Sequence, residues 1–175
     1  MKSRNGFTLV EILAIMIILG LLMVLTIPAY TSIYSGIKRN NYQNKLVELS
    51  TAAKKYGNKI KDEVKVAGDA CKTIKVAELI KKGYISSDLD GEPALLNPTD
   101  QTKMEGDVKI CYCENDFDID AFYTTPFNPQ VIYHVGDVVS DGNTLYECVL
   151  TTKMGISLDS KDSETNKEYF REIIC

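Results

Sequence analysis

The chain has 175 residues, of which 45% are hydrophobic and 25% charged, and a formal charge of -4. That length excludes both a stapled mini-protein and three ordinary domains, leaving one or two globular units. The charge is divided: residues 1–110 carry 16 Lys/Arg against 12 Asp/Glu, residues 111–175 carry 4 against 12, and an acidic C-terminal part without any long basic run argues against a nucleic-acid partner.

Residues 7–27, FTLVEILAIMIILGLLMVLTI, are apolar apart from Glu11. The run is about the ~20 residues a helix needs to cross a bilayer. Lys2 and Arg4 precede it, which by the positive-inside tendency keeps the amino end in the cytoplasm and the bulk of the chain outside. A secretory signal carries its small-residue cleavage site beyond the apolar core. Here the small residue, Gly6, comes first, so a cut at that point leaves the hydrophobic segment on the mature protein. A carboxylate within hydrocarbon costs several kcal/mol unless paired or protonated, which marks Glu11 as functional; on these residues alone it reads equally as a glutamate snorkelling to the membrane surface. Pro28 donates no amide hydrogen, so a bend or loosening is expected at the outer end of the segment.

The stretch Gly6 to Glu11, G-F-T-L-V-E, with Gly20, Pro28 and Tyr30 beyond it, resembles the signal of type IV prepilins, shared by the pseudopilins of type II secretion and competence machines. The resemblance implies cleavage between Gly6 and Phe7 by a prepilin peptidase and methylation of the new Phe7 amine. It implies that Glu11 meets the Phe7 amine of a neighbouring subunit, and that Gly20 and Pro28 serve assembly. It further implies a precursor that crosses the cytoplasmic membrane once, then an extracellular filament whose partners are other pilin subunits, alike or different.

Farther along, Tyr42, Leu46, Leu49, Ala53, Tyr56 and Ile60 recur at helical spacing, forming one apolar face with Lys45, Lys54, Lys55 and Lys59 opposite. A helix from about Phe7 to Ile60 would measure roughly 80 Å. Residues 75–82 read as a short helix stopped by Gly83. L-I-K-K-G-Y-I resembles the connecting segment of Gram-positive pilins, and N-P-T-D, residues 97–100, the turn before their sheet. Val108 to Cys113 alternates as a strand, with Val108, Ile110 and Tyr112 on one side and Lys109, Cys111 and Cys113 on the other.

The five cysteines, Cys71, Cys111, Cys113, Cys148 and Cys175, all lie beyond the apolar run. Cys111-Tyr112-Cys113 lacks the spacing of a structural zinc site, so disulfides and an oxidising compartment are favoured, with one thiol left over and the pairing open. Cys71 is a sensible partner for Cys111 or Cys113. Asp116, Asp118 and Asp120 suggest a calcium loop, but Ala121 and Phe127 occupy the positions that require Gly and Glu, so the segment reads as a solvated linker. No metal and no cofactor are expected.

Residues 123–129, with two prolines, read as a boundary. Residues 127–148 resemble small chitin-binding modules through Tyr133, Gly136, Asp137, Val139 and Tyr146, which implies strands at 131–135, 138–140 and 144–150 and a closing bridge between Cys148 and Cys175. The tryptophans of such modules are missing. Tyr133, Tyr146, Tyr169 and Phe170 are the candidates for carbohydrate or cell-surface binding, and core filling is the larger expectation for them. His134, the single histidine, sits in an expected strand without a nucleophile or metal set beside it, so catalysis is not expected.

The expected fold is therefore α+β: a leader at 1–6, a hydrophobic helix at 7–27, a stalk helix with an antiparallel sheet at 28–123, and an all-β module at 124–175. The function expected with it is that of a structural pilus subunit, a minor pilin, with a pseudopilin as the alternative.

Overall fold

The computed structural model describes residues 7–66, 71–113, 118–156, 158 and 168–174; of residues 25–29, 31 and 32 only the helical backbone is described. The leader, Asp116 and Cys175 lie outside the described residues. The chain divides into two compact units, Met1–Asn41 and Tyr42–Cys175.

Helix α1 runs Leu9–Lys59. It runs through Gly20 and Pro28 as one helix. A short helix α2, Lys61–Val66, follows. Strand β1 is Lys72–Lys75, helix α3 is Val76–Lys81, and strands β2 and β3 are Asp107–Cys113 and Asp118–Pro126. Strands β4, β5 and β6 span Val138–Asp141, Thr144–Cys148 and Phe170–Ile173. The six strands form one sheet in sequence order. Neighbours are antiparallel except β3 and β4, which run parallel where Thr125 and Pro126 meet Val139 and Ser140.

The helix face expected from spacing is the one that packs. Leu49, Ala53 and Tyr56 are buried, with Tyr42, Leu46 and Ile60 at the margin, against Ile74, Val76, Leu79, Leu95, Val108, Ile110, Ile119 and Ala121. Gly57 lets the helix backbone approach the sheet: a Cβ there would stand 2.6 Å from the Cγ2 atoms of both Ile110 and Ile119. Ser50 Oγ donates to the Ala121 carbonyl at 2.9 Å, giving a β3 acceptor its partner. Two of the lysines expected to face water are tied within the chain instead, Lys45 to Asp88 at 2.9 Å and Lys54 to Asp120 at 2.5 Å.

Helix α3 ends as its sequence dictates. Gly83 takes a φ of 76°, and the amides of Gly83 and Tyr84 donate to the carbonyls of Ile80 and Leu79, closing the last turn. The N-P-T-D segment forms a side-chain-capped turn before β2, with Asn97 Oδ1 accepting from the Thr99 amide at 2.9 Å.

Strand β3 corrects the reading of the Asp116, Asp118 and Asp120 cluster as a solvated linker, from Asp118 onward. Asp118 and Asp120 belong to a nine-residue strand whose Ile119 and Ala121 are buried while the carboxylates alternate outward. The proposed boundary at 123/124 falls inside this strand, because Pro126 needs no amide donor at a strand end. Residues 124–175 thus continue the sheet rather than starting a separate one.

Strands β4 to β6 have a core of their own on one face, made of Tyr133, Val139, Cys148, Leu158 and Phe170. Their other face puts Leu145, Val138 and Ile173 against Cys111, Cys113 and Phe122. Residues 131–135 are not the expected strand. Tyr133 exchanges its backbone bonds with Thr152 alone, its amide donating to Thr152 Oγ1 at 2.8 Å and its carbonyl accepting from the Thr152 amide at 2.9 Å, so no ladder propagates on either side.

Cys71 and Cys111 form a disulfide, with 4.2 Å between their Cα atoms, that joins the entry of β1 to β2. A link closing a loop of 40 residues stabilises by about 4 kcal/mol in the chain-entropy account. Cys113 is also disulfide-bonded. Cys148 is not half of a bridge, contrary to expectation: it is a buried thiol that donates to the Leu150 carbonyl at 3.1 Å. It points into the aromatic core, on the face of β5 away from Cys71, Cys111 and Cys113.

Candidate functional site

The start of α1 is built by a four-residue reciprocal cap. Thr8 stands just before the first helical residue, where the backbone amides of the opening turn have no helical partners. The Glu11 amide donates to Thr8 Oγ1 at 3.3 Å, while the Thr8 amide and hydroxyl donate to Glu11 Oε2 at 3.1 and 3.2 Å. This is the T-x-x-E capping box, which was present in the sequence and passed over there. It fixes the Glu11 carboxylate over the helix N-terminus, where the macrodipole favours negative charge. Phe7, whose amine would be released by cleavage at Gly6, precedes it and is 75% exposed; Gly6 itself lies outside the described residues.

Along the helix beyond this cap every described side chain from Phe7 to Val24 is exposed, Leu, Ile, Met and Val alike. A continuous apolar surface of that kind is not stable in water and requires cover from lipid or from other chains. A Cβ added at Gly20 meets nothing within 4 Å, so nothing in this chain's own packing requires glycine there. Among the described residues no helix is long and apolar enough to cross a membrane; the apolar run read from the sequence continues into residues 25–27, whose side chains are not described. Farther on, Tyr30 and Tyr34 stack at 6.0 Å between centroids, and Lys38 Nζ lies 4.8 Å from the Tyr34 ring.

Residues 1–27 match the prokaryotic N-terminal methylation motif. This is the prepilin signal of type IV pilin-like and pseudopilin proteins, and it implies processing by a prepilin peptidase and assembly with other pilin subunits. The matched segment contains the Gly6–Phe7 junction, Thr8, Glu11 and Gly20; Pro28 lies one residue beyond it. No curated protein and no solved structure matches the chain.

The resemblance to chitin-binding modules finds no support in these comparisons, and the geometry explains why the aromatic residues are no binding platform. Tyr133 is 6% exposed and Phe170 is buried, packed with Phe127 in stacked and edge-to-face contacts at 5.6 to 6.0 Å. Tyr146 and Tyr169 pack against the same cluster. The Tyr133 hydroxyl accepts a hydrogen bond from the Asn128 amide at 2.8 Å, and burial raises its pKa above the ordinary 10.0 against the lowering effect of that bond. The rings of Tyr133 and Phe170 are thus enclosed by the protein, and those of Tyr146 and Tyr169 are partly covered. The turn expected at Gly136-Asp137 is present, closed by the Asp137 amide on the His134 carbonyl and by the His134 amide on Asp137 Oδ2. His134 therefore lies in a turn and not in a strand.

An open groove of about 620 Å³, within residues 42–175, runs between α1, β3 and the β4–β6 face. Its charged lips compensate one another, Lys54 with Asp120 at 2.5 Å and Arg171 with Glu147 at 2.6 Å. Among the described residues no group of three His, Cys, Asp or Glu side chains is placed to hold a metal.

Proposed function

We propose that this chain is a structural subunit of a type IV pilus, a minor pilin, held in the cytoplasmic membrane as a precursor by its N-terminal apolar helix and then incorporated into a surface filament. The observation that carries the reading is the methylation motif at residues 1–27, set on a helix none of whose described side chains from Phe7 to Val24 is buried. In this role the protein works by assembly and not by catalysis. Cleavage at Gly6–Phe7 creates an amine four residues before the capped Glu11 carboxylate, and the Glu11 charge offers that amine, on a neighbouring copy, a partner within apolar surroundings. Ion pairing there offsets a desolvation penalty of several kcal/mol. The β4–β6 part, acidic and carried at the end of the chain, favours a place where extra bulk does not obstruct lateral packing. It is not retained as a carbohydrate-binding surface, since Tyr133 and Phe170 are buried and Tyr146 and Tyr169 are partly buried against them.

The intact mass of the protein isolated from filaments tests the processing step: the expected mass is that of a chain starting at Phe7 and one methyl group heavier. A chain that still begins with Met1 would remove the proposal. Replacing Glu11 with Ala is expected to abolish incorporation into filaments while leaving cleavage intact. Gold-labelled antibody against the β4–β6 part separates the roles that share this signal. Label confined to filament ends or sparse sites supports a minor pilin, continuous label along the shaft makes it the major subunit, and label on membrane stubs alone makes it a pseudopilin.

A further inference from the structure

We infer that the part of α1 just beyond the apolar run docks on the phospholipid headgroup layer at the outer surface of the membrane, through a one-sided stripe made of Tyr30, Ile33, Tyr34 and Ile37. The inference rests on the reading of the precursor as anchored by its N-terminal helix, and adds a lipid contact that anchoring alone does not supply.

The four positions follow the i, i+3, i+4, i+7 spacing of one helix face. At 3.6 residues per turn they fall within an arc of about 100°, and all four side chains are exposed. Gly36 and Arg39 occupy the rest of the circumference. The pattern therefore changes along the helix. From Ile12 to Val24 it is apolar on every side, whereas at residues 30–37 it is apolar on one. The first arrangement suits a hydrocarbon interior. The second suits a boundary, which offers an apolar surface from one direction only.

Position and chemistry favour lipid as the occupant. As a helix, residues 7–27 extend about 31 Å, close to the ~30 Å of a hydrocarbon core. Tyr30 then stands about 4–5 Å past its outer end and Tyr34 about 10 Å, against a headgroup layer roughly 5–8 Å deep. Helical side chains lean toward the N-terminus, hence back toward the membrane. An ordinary tilt of about 20° toward the stripe lowers it further. Tyrosine belongs at such a boundary because its ring is apolar and its hydroxyl is wet. Tyr30 and Tyr34 stack, and Lys38 reaches back over the Tyr34 ring at 4.8 Å, which places a cation beside the lipid phosphates. Seams between helices favour small residues or interlocking aliphatics instead. Contact along the stripe fixes the direction in which α1 leans, and its rotation, before assembly.

The chain contains no tryptophan, so a single introduced one reports its own depth. The full-length precursor carrying Tyr34→Trp is reconstituted at low density in phosphatidylcholine–phosphatidylglycerol vesicles, whose acyl chains are brominated either near the headgroup or near the chain ends. Leu19→Trp marks the interior. Gly36→Trp, at a position where an added Cβ meets nothing, marks the opposite face of the helix. The expected result is stronger quenching of Tyr34→Trp by the shallow bromines than by the deep ones, the reverse order for Leu19→Trp, and unquenched, water-like emission from Gly36→Trp. Three results would each overturn the inference while leaving the anchor intact, provided Leu19→Trp is quenched: water-like emission from Tyr34→Trp, equal quenching of Tyr34→Trp and Gly36→Trp, or blue-shifted Tyr34→Trp emission that neither probe quenches, as under a second protein chain. Absence of quenching in Leu19→Trp as well would remove the anchor reading and this inference with it.

Discussion

The two ends of α1 meet opposite fates. From Tyr42 onward the helix has one apolar stripe, and the sheet of the same chain covers it: Leu49 and Ala53 are fully buried. From Phe7 to Val24 the helix is apolar all round, and no described side chain there is buried. A stripe is a demand that one chain can meet alone. A greasy cylinder is not, because only a surrounding medium or several other helices can cover it on every side. The chain thus contains a finished half and a half that is completed only by something outside it.

The largest expected effect lies in the finished half. Leu49→Ala, at 0% exposure, is expected to lower the unfolding free energy by about 3–5 kcal/mol. Val47→Ala, two residues away on the same helix and 65% exposed, is expected to change it by less than about 0.5 kcal/mol. Denaturant unfolding of both variants in detergent checks the pair, and equal effects would break the distinction between covered and uncovered faces.

Glycine sharpens it further, because the same substitution reverses sign along one helix. Gly57→Ala places a Cβ 2.6 Å from two isoleucine methyl groups and is expected to cost about 1–3 kcal/mol. Gly20→Ala meets open space and is expected to leave the isolated protein unchanged or up to about 1 kcal/mol more stable. Any loss of filament incorporation in Gly20→Ala would then report contacts between chains.

A smaller effect is expected at the cap. Thr8→Ala removes the acceptor for the Glu11 amide and the hydroxyl donor to its carboxylate, costing about 1 kcal/mol of local helix stability. Amide hydrogen exchange at residues 9–12 is the suitable measurement, since fraying there leaves the core at Leu49 untouched. Unchanged exchange would mean that the carboxylate is held by something other than this box.

The smallest effect is alkaline. Burial raises the Tyr123 pKa above 10.0, against the lowering influence of the Gly106 amide that donates to its hydroxyl at 3.1 Å. Lys45 is raised above 10.5: burial lowers it, but Asp88 and Glu48 more than offset that. For both groups the folded protein holds its proton more tightly than the unfolded chain. Their contribution is therefore fully present below about pH 10 and is lost as the pH rises through the folded pKa values. Tyr123→Phe is expected to flatten the decline in stability above pH 10.

Much of the covered half was legible. The stripe from Tyr42 to Ile60 could be read because a helix presents one face at fixed spacing whatever it packs on. The alternation of residues 108–113 was equally readable, and so was the Gly83 stop of α3. The Thr8–Glu11 box is legible too, as Thr and Glu at capping-box spacing at the start of an apolar run. Strand β3 was hidden because Asp118 and Asp120 look like solvent-facing linker until β2 supplies a ladder and Lys54 a counter-charge. Residues 131–135 were expected as a strand from the resemblance to chitin-binding modules, but they have no neighbouring strand to pair with, which composition does not reveal.

By itself the sequence determined the apolar segment with its signal, the amphipathic continuation and the local stops, since each is a property of consecutive residues obeying a backbone period. The tertiary structure alone decided which cysteines pair, that the last strands extend the first sheet, and that the tyrosines face inward. Those outcomes depend on which distant segments become neighbours, and the energy that selects them is stored in contacts rather than in any residue's own preference.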